Sequence, residues 1–149
     1  MINPFIAYCN TVWSSTYVTN LNRIYYLQKR AVRAITNSDF RAHTAPLFAK
    51  LGILYIFQVN SLYIARFMFC YHKEILTPVF HNLFLCSNQV HSYNTRSANN
   101  YLPHTCRTNL KKFTILYRGP KIWNALSSNI RTSVNSCTFK KKMMQFLLN

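Results

Sequence analysis

"ILYIFQVNSLYIARFMFC", residues 53–70, is the most apolar window of the chain, and its reading decides the fold. A run of this length approaches what a bilayer-spanning helix needs. Gln58, Asn60 and Arg66 interrupt it, however, and each is costly in hydrocarbon. On a 3.6-residue period, Gln58, Arg66 and Lys73 form a narrow polar strip, with Ile56, Phe57, Tyr63, Ile64, Phe67 and Met68 around the rest. The pattern predicts a helix over about 55–73 that is buried on nearly every side, near the centre of a helical fold.

Working upstream, Gly52 reads as the cap of a short helix over 45–51, and the Asn/Ser/Asp cluster in 36–43 as a loop. Over 20–36, Leu21, Ile24, Leu27, Ala31 and Ile35 share one helical face, while Arg23, Lys29, Arg30 and Arg33 flank Tyr26 on the other. Asn3 and Pro4 read as the cap and first residue of a helix ending near Ser15, with Phe5, Cys9, Val12 and Trp13 on one side.

Downstream of Pro78 the composition shifts. Residues 87–112 carry Ser, Asn, Thr and cations with little periodicity, which predicts a long basic loop. "FTILY", 113–117, has the residues of a brief strand and leaves room for one short strand pair. In "GPKIWNAL", 119–126, Gly119 permits a sharp reversal, Pro120 suits the first position of a helix, and that helix buries Ile122, Trp123 and Leu126. Gly119, Pro120 and Trp123 thus form a structural anchor that pins the basic segment to the core, the other role open to Trp123 being a stack on a base. Ser136 caps a last helix with Phe139, Met143, Phe146 and Leu147 on one face. The expected fold is mainly α: one irregular helical domain of five or six helices, in which a helical segment, 1–85, carries a basic C-terminal segment, 86–149, packed on it through 119–126.

The chain has 149 residues, 18 Lys and Arg against 2 Asp and Glu, and a formal charge of +16. Half of it is apolar and 15% aromatic, too much for a disordered basic tail, so it folds as a polycation. Such a surface attracts polyanions, with nucleic acid ahead of an anionic membrane surface. Five unevenly spaced cysteines without a CxxC, and an N-terminus that lacks a basic stretch before an apolar run, point to a reducing intracellular setting, nucleus or cytoplasm. Asp39 and His43 would make a hydrogen-bonded pair, but no nucleophile accompanies them, and a loop cap with a surface imidazole is the simpler reading. Cys70, His72, Cys86 and His91 are zinc-ligand types at spacings unlike a finger, so no metal site is assigned.

Two cationic groups remain as candidate nucleic-acid contacts. Lys29, Arg30 and Arg33 surround Tyr26, which offers phosphate contact beside an aromatic available for stacking. Arg96, Arg107, Lys111, Lys112, Arg118 and Lys121 form a looser track in a polar context. Lys140, Lys141 and Lys142 point in different directions on a helix and read as solvated.

"HSYNTR" (91–96), "CRTN" (106–109), "GPKIWNAL" and "SCTFKKKMMQFLL" (136–148) together resemble the C-terminal end of reverse transcriptases from non-LTR retrotransposons of the jockey and chicken-repeat type. "LQKRAVRAIT" (27–36) followed by "AHTAPLFAKLGIL" (42–54) is similar to the segment after the polymerase palm in the same family. Ser127 departs from the pattern, which usually has a proline there; the departure is expected to loosen the turn. The resemblance implies a thumb-like and post-palm part of an RNA-directed DNA polymerase. Two Mg ions serve the parent family's palm, whose clustered carboxylates are missing here, since Asp39 and Glu74 are the only acidic residues. It further implies no catalysis and no cofactor in this chain, RNA or RNA/DNA duplex as partner, and an exposed apolar patch, involving Phe5, Trp13 and the 55–73 helix, where the palm or another protein would pack. Neither a membrane nor a small-molecule substrate is expected, and the alternative is a domesticated protein-interaction remnant.

Overall fold

The computed structural model describes residues 3–90 and 97–148. Its helices are α1 (Asn3–Ala7), α2 (Asn10–Trp13), α3 (Val18–Ile35), α4 (Ala45–Leu51), α5 (Ile56–His72), α6 (Ser87–Val90), α7 (Asn109–Lys112), α8 (Ile115–Ala125), α9 (Ser128–Arg131) and α10 (Ser136–Leu148), with a 3-10 turn at Pro78–Phe80. The fold is mainly helical, and among the described residues the only β pairing is a single antiparallel bridge between Cys86 and Tyr101. The "HSYNTR" segment, with His91 and Arg96, lies outside the described residues.

The apolar run becomes α5, and α5 is the hub. Helices α2, α3, α8 and α10 all pack against it, and Ile56, Ile64, Ala65, Met68 and Phe69 are fully buried. No single helix among the described residues is long and apolar enough to cross a membrane. Phe69 stacks on Phe139 of α10 with centroids 4.6 Å apart, and Trp123 of α8 lies parallel to the same ring at 6.1 Å. Residues on both sides of position 85 therefore share one core.

Polar side chains fix how the outer helices meet α5. Gln28, buried in α3, donates from Nε2 to the Leu54 carbonyl at 2.8 Å and accepts from the Ile56 N–H at 3.1 Å. It thereby satisfies a backbone donor that the first turn of any helix leaves free. Gln58 accepts from the Tyr55 N–H at 2.9 Å and donates to the Leu147 carbonyl, joining α5 to the end of α10. Gly52 adopts φ 60 at the end of α4, the left-handed cap its position predicted.

Several local expectations are corrected. The N-terminal helix is broken in two at Cys9, whose φ is 46, and its inward face is polar: Asn10 and Ser14 are buried while Phe5 is 82% exposed. On α3 the buried stripe runs Leu21, Gln28 and Val32, so Leu27 and Ile35, expected inside, are 61% and 64% exposed. Residues 113–117 form no strand; they lead into α8, and Pro120 sits in the interior of that helix rather than at its start. Its missing N–H leaves the Leu116 carbonyl free, and the His104 N–H donates to that carbonyl at 3.3 Å. Gly119 makes no reversal either. An added Cβ there would lie 2.7 Å from Met68 Sδ, so the glycine lets α8 approach α5 closely. The cap of α10 is Asn135, whose Oδ1 accepts from the Thr138 N–H at 2.8 Å, with Ser136 already in the helix. On α10, Phe139 and Met143 are buried and Phe146 is exposed.

Candidate nucleic-acid interface

The first cationic group lies on the outer side of α3. Arg23, Tyr26, Arg30 and Arg33 are spaced by three, four and three residues, which aligns them along one helical stripe. Arg23, Tyr26 and Arg30 are exposed and Arg33 is half-buried. Lys29 sits on the flank, its Nζ 4.3 Å from the centre of the Tyr25 ring and 5.9 Å from that of Tyr26. Arg33 has a structural share in the loop that follows, since its Nε donates to the Ala42 carbonyl at 3.0 Å and its guanidinium lies over Phe40. Arg23 belongs to the stripe as much as Arg30 and Arg33 do; the i, i+3, i+7 spacing from it to Tyr26 and Arg30 was the signal.

The second group gathers on α7 and α8. Arg107, Lys111, Lys112 and Lys121 are exposed, and Arg118 is half-buried. Thr108 caps α7 by accepting from the Lys111 N–H at 3.4 Å, and Lys112 donates to Asn109 Oδ1 at 3.2 Å. Lys121 donates to Tyr117 Oη at 2.6 Å and also covers that ring. Burial pulls the Arg118 guanidinium down from its usual range. Arg96 lies outside the described residues. Lys142 donates to both the carbonyl and Oδ1 of Asn129 at 2.8 Å, so it holds the α9 turn against α10.

The anchor works through more than its tryptophan. Trp123 is 1% exposed, wedged between Phe139 and His72, which removes it from the surface where a base would stack. Beside it, Asn124 donates from Nδ2 to the Tyr101 carbonyl at 2.8 Å and accepts from the Tyr101 N–H at 3.1 Å. This two-way bond fastens residue 101 of the basic segment to α8. Tyr101 in turn places its Oη 3.0 Å from His72 Nδ1, and burial raises the phenol well above its usual range.

Asp39, His43 and Glu74 are all exposed. Among the described residues no group of three or more His, Cys, Asp or Glu side chains converges, and all five cysteines are free.

A cleft of about 300 Å³ lies where the start of α3, the first turns of α5, and α7 with α8 come together. Lys112 and Arg118 reach it, as do Thr16, Phe57, Asn60 and Phe113, none of which was a candidate site residue in the sequence. An asparagine inside an apolar helix reads there only as an interruption. No family model, curated protein or solved structure matches the chain.

Proposed function

We propose that this chain is the thumb-like, post-palm C-terminal part of an RNA-directed DNA polymerase of a mobile element, and that it binds RNA or RNA/DNA duplex through backbone phosphates without catalysing polymerisation. The observation that carries the reading is the charge: with two carboxylates, the chain has no means of neutralising its eighteen cations internally, and most of them face solvent, among them Arg23 and Arg30 on α3, Lys111 and Lys112 on α7 and Lys121 on α8. A surface of this kind releases counterions from a phosphate backbone on binding. The exposed Tyr26 ring among the α3 cations adds a stacking surface that tolerates any base. Asp39 and Glu74 supply no cluster for the two Mg ions of the parent chemistry, so primer extension is not expected.

Anisotropy titrations of a labelled single-stranded RNA at increasing salt test the proposal. With about five phosphates contacted, log K falls against log salt with a slope of about −3.5, and about −4.5 on duplex DNA. Replacing Lys29, Arg30 and Arg33 together with alanine flattens the slope by about two to three units and leaves base preference unchanged. A salt-independent interaction would overturn the electrostatic reading. The second reading, a protein-interaction remnant, is favoured by the exposed Phe5, Tyr8 and Val12 of α1 and α2 and by Leu27 and Ile35 of α3. The apolar patch expected on the 55–73 helix is absent from it, because α5 is covered by its own neighbours.

A further inference from the structure

The ends of α5 and α9 bring a histidine, a lysine and an arginine together, apart from the cations of α3, α7 and α8. Arg131, half-buried at the end of α9, gives one guanidinium N–H to Asn100 Oδ1 at 3.4 Å. Tyr101, next in the chain, places its Oη 3.0 Å from His72 Nδ1. Lys73 follows His72 and sets its Nζ 6.0 Å from the centre of the Phe69 ring. Both lie on the stack of Phe69, Phe139 and Trp123, since His72 rests against Trp123 with centroids 5.1 Å apart. The supports are fixed: Asn124 fastens Tyr101 to α8, and Lys142 ties α9 to α10.

Helix capping does not account for these side chains. Cations near a helix end commonly serve its last carbonyls. At the end of α5, however, the carbonyls of Phe69, Cys70 and Tyr71 already accept from the N–H groups of Lys73, Ile75 and Glu74 at 3.0 Å. At the end of α9, Ser128 and Ile130 accept from the N–H groups of Thr132 and Ser133. A counter-charge is missing too: Glu74 makes itself felt at Tyr101 but forms no ion pair or hydrogen bond among the described residues. His72 is exposed, and its Nε2 has no partner among the described residues. Burial and then the charges of Lys73 and Arg131 favour the neutral ring, while α8 faces it with the uncharged Trp123.

We infer that His72, Lys73 and Arg131 form a phosphate-binding site, in which the oxyanion sits between the Lys73 ammonium, the Arg131 guanidinium and His72 Nε2–H. The anion offsets the two positive charges that disfavour an imidazolium, so its binding is accompanied by uptake of a proton from solvent on His72. Nδ1–H then donates to Tyr101 Oη and Nε2–H to the anion, both charge-assisted bonds. The phosphate belongs either to a bound strand, in which case the inference rests on the proposed function, or to a free ion in solution.

NMR titration of the histidine ring resonances of the full chain tests the site, with His72 assigned by the signal lost in His72→Gln. The probes are sulfate, which stays doubly charged throughout the titration, and inorganic phosphate, each against chloride at equal ionic strength. In chloride the His72 midpoint should lie below about 6.5; sulfate or phosphate should raise it saturably by about one pH unit and leave the other histidines in place. Arg131→Gln and Lys73→Gln should each raise the midpoint in chloride, because a like charge is gone, and increase the half-saturating sulfate concentration about tenfold. The Lys29/Arg30/Arg33 alanine variant should respond to sulfate as the unaltered chain does. An unchanged His72 midpoint in both anions, or an equal shift of every histidine, overturns the inference, and salt-dependent RNA binding retained in that case leaves the proposed function standing. If RNA also raises the His72 midpoint, and Arg131→Gln removes that response with about 0.7 of the RNA salt slope, the site holds a strand phosphate. A response to the free anions alone assigns it to phosphate in solution, and that response with no RNA binding at all removes the proposed function instead.

Discussion

Replacing Gly119 with alanine tests how α8 is seated on α5. In an ordinary helix interior the change is favourable by about 1 kcal/mol, because glycine loses more backbone freedom on folding than alanine does. Here the new Cβ would lie 2.7 Å from Met68 Sδ, 3.3 Å from Met68 Cγ and 3.5 Å from Phe84 Cζ. Met68 is fully buried, so its sulfur has nowhere open to move. Overpacking of this kind costs about 1 to 3 kcal/mol. The net effect is then a destabilisation of about 0 to 2 kcal/mol, and its sign alone would be a weak test. A double-mutant cycle sharpens it. Met68→Ala by itself should cost about 2 to 5 kcal/mol through the cavity it leaves. In that background the overlap is gone, so Gly119→Ala should become stabilising by about 1 kcal/mol, giving a favourable coupling of about 1 to 3 kcal/mol. Urea unfolding followed by far-UV circular dichroism measures all four corners. Additive effects, with Gly119→Ala equally stabilising in both backgrounds, would refute the close approach of α8 to Met68.

Trp123→Ala should lower stability by about 3 to 5 kcal/mol, since the indole is buried between Phe139 and His72, and should weaken RNA binding only through unfolding; a fully stable variant that fails to bind would make Trp123 a stacking platform. Ser127→Pro should raise stability by about 0.4 to 1 kcal/mol, because Ser127 already has φ −63, Leu126 before it is extended, and the Ser127 N–H makes no hydrogen bond among the described residues; a fall in melting temperature would show the turn to be strained by the ring. Burial, and then the charges of Lys73 and Arg131, hold His72 below its usual imidazole range of about 6.5. The unfolded chain takes up that proton first as pH falls, so stability is full above about pH 6.5 and declines below it until the folded state is charged as well. Thermal melts over a pH series should show the decline reduced in His72→Gln, and an identical decline in the variant would place its origin elsewhere.

How far the sequence could be read differs from element to element. The period of 53–70 and the Gly52 cap foretold α5 and α4, because a long apolar run broken by a narrow polar strip and a glycine after a short helix are both local signals. On α3 the length was legible but the buried face was not. Gln28 displaced Leu27 from the inward stripe because its amide serves both the Leu54 carbonyl and the Ile56 N–H, a gain that no hydrophobicity pattern records. In the same way Asn10 and Ser14 faced inward because Asn60 waited there with matching polar atoms.

By itself the sequence determined the helical class, the central apolar helix, the surplus of positive charge and the lack of clustered carboxylates, since all of these are fixed by composition and by spacings within one turn or two. Only the tertiary structure decided that Pro120 lies inside α8, where the His104 N–H takes over the carbonyl that proline frees. It alone made Gly119 a contact point rather than a turn, and brought Asn60, 58 residues before Arg118 in the chain, to the same cleft. The physical reason is common to all three: each depends on a partner supplied by another helix, and a residue's own neighbours along the chain carry no trace of that partner.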